Sequence, residues 1–251
     1  MADGFTFNWS DFEANFVQRA AHASKPAGAI LLEQGRGLFH TVIEITAPGH
    51  AGVKAGSNTA TARGKAKVAG DLAKLYGTPG GAYDAIKARS GESEADLFWK
   101  LRNSKPAEAA VIVRSQLGAS FSDWDNGALH RQQFRRGRVN AGRRKSPLVY
   151  VRDAAPLKQY IKNVQERVNY LAGGWETVAR KLGISLPQSI SKHDAPSVAI
   201  VEFTIDRLRV LATNAVKYAS DTDLERRIQW AINSQARKMQ RQWEDFAALR
   251  K

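Results

Sequence analysis

The side chains best suited to hold a metal, His22, His40, His50, His130 and His193, stand far apart along the chain, with no HExxH pair. Two imidazoles on one helix face need a three- or four-residue spacing, and none occurs. There are no cysteines, so thiolate nucleophiles, disulfides and zinc fingers are excluded. The tight acidic groupings are Asp71 beside Lys74, and Glu92 with Glu94 and Asp96. Neither combines a strand setting with the convergent oxygens that Mg²⁺ chemistry needs, and solvated helix faces account for both. Asp221, Asp223 and Glu225 suit the first turn of a helix, where the dipole stabilises negative charge. The stretch Gly56 to Lys65 lacks phosphate-loop spacing, because Ala66 follows Lys65. Gly77-Thr78-Pro79-Gly80-Gly81 offers backbone donors to a phosphate, but Pro79 removes one of them, and a plain turn is the preferred reading. No GxSxG elbow is present. The expectation is a protein without catalytic residues, cofactor or metal.

What the chain does have is positive charge. Between Asp125 and Asp153 there is no acidic residue, while Arg131, Arg135, Arg136, Arg138, Arg143, Arg144, Lys145 and Arg152 all fall there. Such a run costs self-repulsion unless solvent or an anionic partner absorbs it. The bland reading is a solvated loop. The functional reading makes Arg131, Arg135, Arg136, Arg138, Arg143, Arg144 and Lys145 candidate contacts to an anionic partner or to DNA. It gains weight because Arg180, Lys181, Lys192, Arg207, Arg209, Lys217, Arg226, Arg227, Arg237, Lys238 and Arg241 extend the excess, giving a net charge of +14 over 251 residues and a pI near 10.1. Trp124 and Phe134 lie beside or within the run and are too few for base stacking. With Tyr150 they are candidate inter-subunit anchors. No apolar run approaches the roughly 18 residues of a membrane span. Asp3 and Asn8 replace the basic start of a secretory signal, so synthesis in the cytosol is expected.

The elements that would position these residues follow from periodicity. A first helix is expected after Asn8-Trp9-Ser10-Asp11, with Phe12, Phe16 and Ala20 on one face. A second runs from Ala29 to Ile45 and ends at Thr46-Ala47-Pro48-Gly49. His50 to Ala66, small and polar, reads as an extended arm. Short helices are expected up to Tyr76 and over Ala82 to Ala88, Glu92 to Arg102 and Pro106 to Leu117. The basic run reads as a loop or hairpin between the turn at Ser122 to Gly127 and a strand at Leu148 to Val151. From Pro156 a long helix reaches Leu182, kinked at Gly173-Gly174 and stopped at Gly183. Ser197 to Ala212 reads as two strands joined near Asp206, and the closing helix as Asp221 to Leu249 with Ser220 as its cap. The implied fold is α+β, a small antiparallel sheet packed by long helices with a large helix- and loop-rich insertion. Its expected divisions are N-terminal helices over 1–48, an insertion with an arm and a basic loop over 49–147, and an α+β core with a long C-terminal helix over 148–251.

A helix ending in Ile43-Glu44-Ile45-Thr46-Ala47-Pro48-Gly49, then a strand pair leading into Thr213-Asn214-Ala215-Val216-Lys217-Tyr218-Ala219 and a last helix, resembles the neck and tail-completion proteins of tailed bacteriophages. The resemblance covers residues 29 to 49 and 197 to 250. The middle, from Gly174-Trp175 through Leu182-Gly183 to Leu186-Pro187 and His193, is similar to insertions in phage and prophage structural proteins. Where that family often has Thr-Gly-x-Leu after the proline, this chain has Gly49-His50-Ala51-Gly52-Val53, and its insertion is longer. The resemblance implies a structural virion protein, made in the host cytoplasm and located in the neck or tail region. It implies a sixfold or twelvefold ring around the DNA channel, with connector, portal or tail-tube and terminator proteins as partners and packaged DNA touched without sequence preference. The alternative is a stand-alone, non-sequence-specific nucleic-acid-binding protein. A nuclease comes third.

Overall fold

The structure, a computed structural model, describes residues 5–8, 27–50, 52–135, 147–203, 208–216 and 224–248. The helix expected near Asn8 to Ala20 and the Ser220 cap lie outside them. In chain order the elements are β1 (Phe5–Asn8), α1 (Ala27–Ile45), α2 (Asn58–Ala73), β2 (Tyr76–Gly77), α3 (Pro79–Ser90), α4 (Glu92–Ser104), α5 (Pro106–Leu117), β3 (Ser120–Ser122), α6 (Ala128–Arg135), β4 (Val149–Val151), α7 (Ala154–Glu166), α8 (Tyr170–Gly173), α9 (Glu176–Lys181), α10 (Gln188–Ser191), β5 (Ser197–Phe203), β6 (Leu208–Asn214) and α11 (Leu224–Ala248). The fold is α+β, mostly helical with small sheets. The chain divides into two compact units, residues 1–63 with 168–251, and residues 64–167. That divide falls inside α2 and at the end of α7, whereas the sequence divisions stand at 49 and 148.

In the first unit, three-four spacing puts Leu38, Phe39, Val42 and Ile43 of α1 on one buried stripe, and Leu224, Ile228 and Ala231 give α11 a matching one. Both join a core with Ala199, Val210 and Ala212 of the sheet. The strands run in the order β1-β6-β5 and are antiparallel throughout, with Val201 opposite Val210 and Asn8 opposite Leu211. Strand β5 is an edge, and α9 covers part of it: Thr177 pairs with Ser197, and Lys181 Nζ donates to the Ala199 carbonyl at 2.6 Å. Trp175, 1% exposed, packs edge-on against Phe39 with ring centroids 6.5 Å apart. Its indole N–H donates to Thr46 Oγ1 at 3.1 Å, and that hydroxyl donates to the Val42 carbonyl at 2.7 Å. Two further ties join α1 to α11. Gln235 Nε2 donates to Gln34 Oε1 at 2.6 Å, both side chains being buried, and Arg227 donates to the carbonyl of Ile45 at 2.7 Å, where α1 ends without intrahelical partners.

Two expectations about this region are overturned. The extended arm over His50 to Ala66 is instead helical from Asn58, because Ser57 Oγ accepts from the Ala60 N–H at 3.1 Å and Ala60 is fully buried. Alanine and lysine, read as too small or too polar to bury, are strong helix formers. The single helix from Pro156 to Leu182 is broken into α7, α8 and α9. Asn169 stands at the first break with φ 78° and is itself buried, its amide donating to Thr61 Oγ1 at 3.0 Å and its Oδ1 accepting from the Gly56 N–H at 3.3 Å. A left-handed residue cannot continue a helix, and asparagine tolerates that conformation.

The second unit contains a sheet that the sequence did not suggest. Its order is β2-β4-β3, and its strands are parallel, with Gly77 and Phe121 both opposite Tyr150. Parallel strands need crossover connections: α3, α4 and α5 lead from β2 to β3, which lie on either side of β4, and α6 lies between β3 and β4 in the chain. Ile86, Phe98, Val113, Phe121 and Tyr150 form one core, with Phe98 and Phe121 edge to face at 5.3 Å. Leu72, Leu75, Tyr76, Val151 and Leu157 form another.

Candidate anion-binding cleft

The basic run is not one loop. Its first part is helix α6, and residues 136–146, which include Arg136, Arg138, Arg143, Arg144 and Lys145, lie outside the described residues. The helix forms because the preceding turn caps it: Asp125 accepts from the N–H groups of Gly127 and Leu129, each at 2.9 Å, while Asn126 and Gly127 take positive φ. Arg131 is exposed on α6 and donates to the Asn126 carbonyl at 2.7 Å. Arg135 closes the helix, and Phe134 lies within it; both side chains are outside the described set. Of the expected anchors Trp124 and Tyr150, the structure buries Tyr150 and leaves Trp124 partly exposed. Trp124 is half-buried between Tyr76 and Tyr160, at 4.9 and 5.3 Å between ring centroids. Tyr150 is 4% exposed, held in the core at the middle strand. The buried Tyr150 ring serves the core, whereas Trp124 keeps part of its surface exposed.

Around Trp124 the structure gathers a polar cluster. The Tyr76 hydroxyl donates to Asp125 at 2.9 Å and accepts from the His130 N–H at 3.1 Å, and His130 Nδ1 is 2.9 Å from the Tyr160 hydroxyl. Burial pushes the Tyr76 phenol well above the ordinary tyrosine range, with the Asp125 carboxylate adding to it, and burial also raises Tyr160. Burial lowers the His130 imidazole below its usual value. Because the Asp125 oxygens already accept from a phenol and two backbone N–H groups, this cluster acts as a tie between α6 and the sheet.

The second constellation lies at the carboxyl ends of β2 and β4. Both strands turn directly into helices. Thr78 accepts from the Gly81 N–H at 3.1 Å and caps α3, with Pro79 in its first turn, and Asp153 accepts from the Ala155 N–H at 2.9 Å and caps α7. The turn read as plain is therefore a helix start. Gly77 permits it: a Cβ there would stand 2.3 Å from the Tyr150 ring, so only glycine lets β2 approach its neighbour. Between the two helix starts is a cleft of about 640 Å³, lined by Thr78, Gly80, Trp99, Arg102, Arg152, Asp153 and Lys158 among others. The Arg102 guanidinium sits 3.5 Å above the Trp99 ring, a cation–π contact that fixes it. Arg152 pairs with Asp123 at 2.7 Å, and Lys158 is exposed. Cations outnumber the single lining carboxylate, which is engaged in capping. The arrangement suits an oxyanion.

Arg152 belongs to the sequence's basic run, but Arg102 and Lys158 escaped notice because they join it only through folding. The one available signal was the repeated order of strand, polar cap and helix at Tyr76 to Gly81 and Tyr150 to Ala155. Among the described residues no cluster of three metal-ligating side chains occurs, and no helix is long and apolar enough to cross a membrane. Compared with family models, curated proteins and solved structures, the chain has no match.

Proposed function

We propose that this chain is a structural virion protein of a tailed phage, a subunit of the head-tail neck or tail-completion ring around the DNA channel. The observation that supports it is the meeting of the two stretches that resemble that family. Helix α1, ending at the proline loop, packs in one core with β5, β6 and α11, although most of the chain separates them in sequence. The Gln34–Gln235 and Arg227–Ile45 hydrogen bonds fix that meeting in one register. The intervening residues 64–167 form a compact unit with cores of their own, which suits an added module on a helix, hairpin and helix frame. In this reading the positive charge faces DNA or acidic neighbours, and the chain acts by assembly. Co-sedimentation with purified connector and tail-tube proteins tests it. Stoichiometric incorporation at six or twelve copies is the expected result, and failure to join either component counts against it.

A stand-alone, non-sequence-specific nucleic-acid-binding protein is the second reading, favoured by the cationic cleft. Tight, steeply salt-dependent binding of free duplex by the monomer would select it.

A further inference from the structure

We propose that the cleft at the carboxyl ends of β2 and β4 is a binding site for a phosphate group, held by Arg152, Lys158 and Arg102. Three separate elements bring these cations together: Arg102 comes from α4, Arg152 from the turn after β4, and Lys158 from α7. The carboxylates beside them are Asp153, which caps α7, and Asp123, which pairs with Arg152, so the concavity keeps a positive excess that favours an entering anion. Two of the three are already held in place. Arg102 lies on the Trp99 ring and Arg152 is pinned by Asp123, and a guanidinium with five N–H donors keeps others available after one ion pair. Side chains fixed before binding lose less freedom on meeting a ligand.

The floor of the cleft agrees with the charge. Gly80, the second residue of α3, has open space where a Cβ would stand, so a ligand can come close to the backbone there. At the helix starts Pro79 has no N–H, and those of Gly81 and Ala155 go to the Thr78 and Asp153 caps, so the side-chain cations carry the binding. The cleft also occupies the usual ligand position of parallel sheets, beyond the carboxyl ends of the strands. At about 640 Å³ it exceeds the volume of a bare phosphate, which leaves room for the group that a phosphate ester carries. The source of the phosphate is either a nucleic-acid backbone or a small phosphate compound. The proposal stands independently of the ring reading, because it concerns one subunit.

The test uses the full-length protein in calorimetric titrations with inorganic phosphate and with a short DNA duplex. It compares wild type, Lys158→Gln, the double variant Arg152→Gln/Lys158→Gln, and Lys238→Gln as a control on α11. Circular dichroism verifies that each is folded. Lys158 is exposed, so its single variant remains informative even if loss of the Arg152–Asp123 pair destabilises the double variant. If the source is a small phosphate compound, inorganic phosphate binds saturably and the cleft variants weaken it about tenfold or more, while the control does not. If the source is nucleic acid, the cleft variants weaken duplex binding more than the control and flatten its salt dependence by about 1 to 2 units of slope. Cleft variants that match the control for both ligands would overturn the proposal.

Discussion

Asn214 Nδ2 donates to the Leu171 carbonyl at 2.8 Å, joining the end of β6 to α8 at a site where Asn214 is fully buried. Its Oδ1 accepts from the Val216 N–H at 3.3 Å, so both ends of the amide are used. The contact fits only because position 174 is glycine: a Cβ there would stand 2.2 Å from Asn214 Oδ1. A residue that stood out in the sequence as part of a short phrase thus fastens the hairpin to the helices that precede it.

Replacing Asn214 with alanine removes the acceptor of the buried Val216 N–H and one of the two donors to the Leu171 carbonyl, which keeps the Gly174 N–H at 3.2 Å; the change is expected to cost about 1–3 kcal/mol. Gly174→Ala is expected to destabilise by a similar amount through overpacking. The two act on one contact, so the double variant should lose less than the sum of the singles. Urea unfolding of all four proteins measures this coupling, and strict additivity would contradict the contact.

Trp175 gives a second separable effect. Trp175→Phe keeps most of the ring packing but loses the N–H that reaches Thr46, and a loss of about 1–2 kcal/mol is expected. Trp175→Ala also opens a cavity and should lose about 3–5 kcal/mol. Equal effects of the two variants in thermal unfolding would mean that the hydrogen bond contributes nothing.

The fold was legible where periodicity was undiluted. The stripes Leu38, Phe39, Val42 and Leu224, Ile228, Ala231 mark α1 and α11, and the alternation from Val198 onward marks the hairpin. The first part of helix α2, from Asn58 to Ala66, was hidden because it buries only Ala60 fully, and hydrophobic pattern is blind to a helix set by propensity and a serine cap. The interruption at Gly173-Gly174 was expected as a kink, whereas the break at Asn169 was hidden for the opposite reason. The apolar spacing runs through it, and Asn169 is held there by Thr61, distant in sequence. Strands of two or three residues such as β2 and β3 are too short to show a period. With them went the cleft, whose cations lie on α4, α7 and the turn after β4.

Gln34 and Gln235 meet inside an otherwise apolar helix interface. Gln34→Leu alone strands the Gln235 amide, with an expected cost of about 1–3 kcal/mol. Changing both to leucine removes the unpaired group and should recover most of that loss. Denaturant midpoints of the two variants decide it.

His130 predicts a pH dependence. Its folded-state pKa is lowered by burial, so the folded protein binds fewer protons than the unfolded chain between that value and the ordinary histidine range near 6.5. Its contribution to stability is complete above the unfolded value and declines as pH falls below about 6.5. Thermal melts at pH 7.5, 6.5 and 5.5 should show wild type losing stability at the lower values, and His130→Gln should flatten that decline. An unchanged slope in the variant would assign it to other groups.

The central claim is assembly into a ring, and the most direct measurement is the mass of the purified protein in solution, by light scattering at low and high salt, with and without duplex DNA. The account predicts a discrete closed species at six or twelve times the 27.6 kDa subunit, populated more fully as concentration rises. A protein that stays monomeric at high concentration and binds duplex tightly in a salt-dependent manner would contradict it, and would identify the chain as a nucleic-acid-binding protein that acts alone.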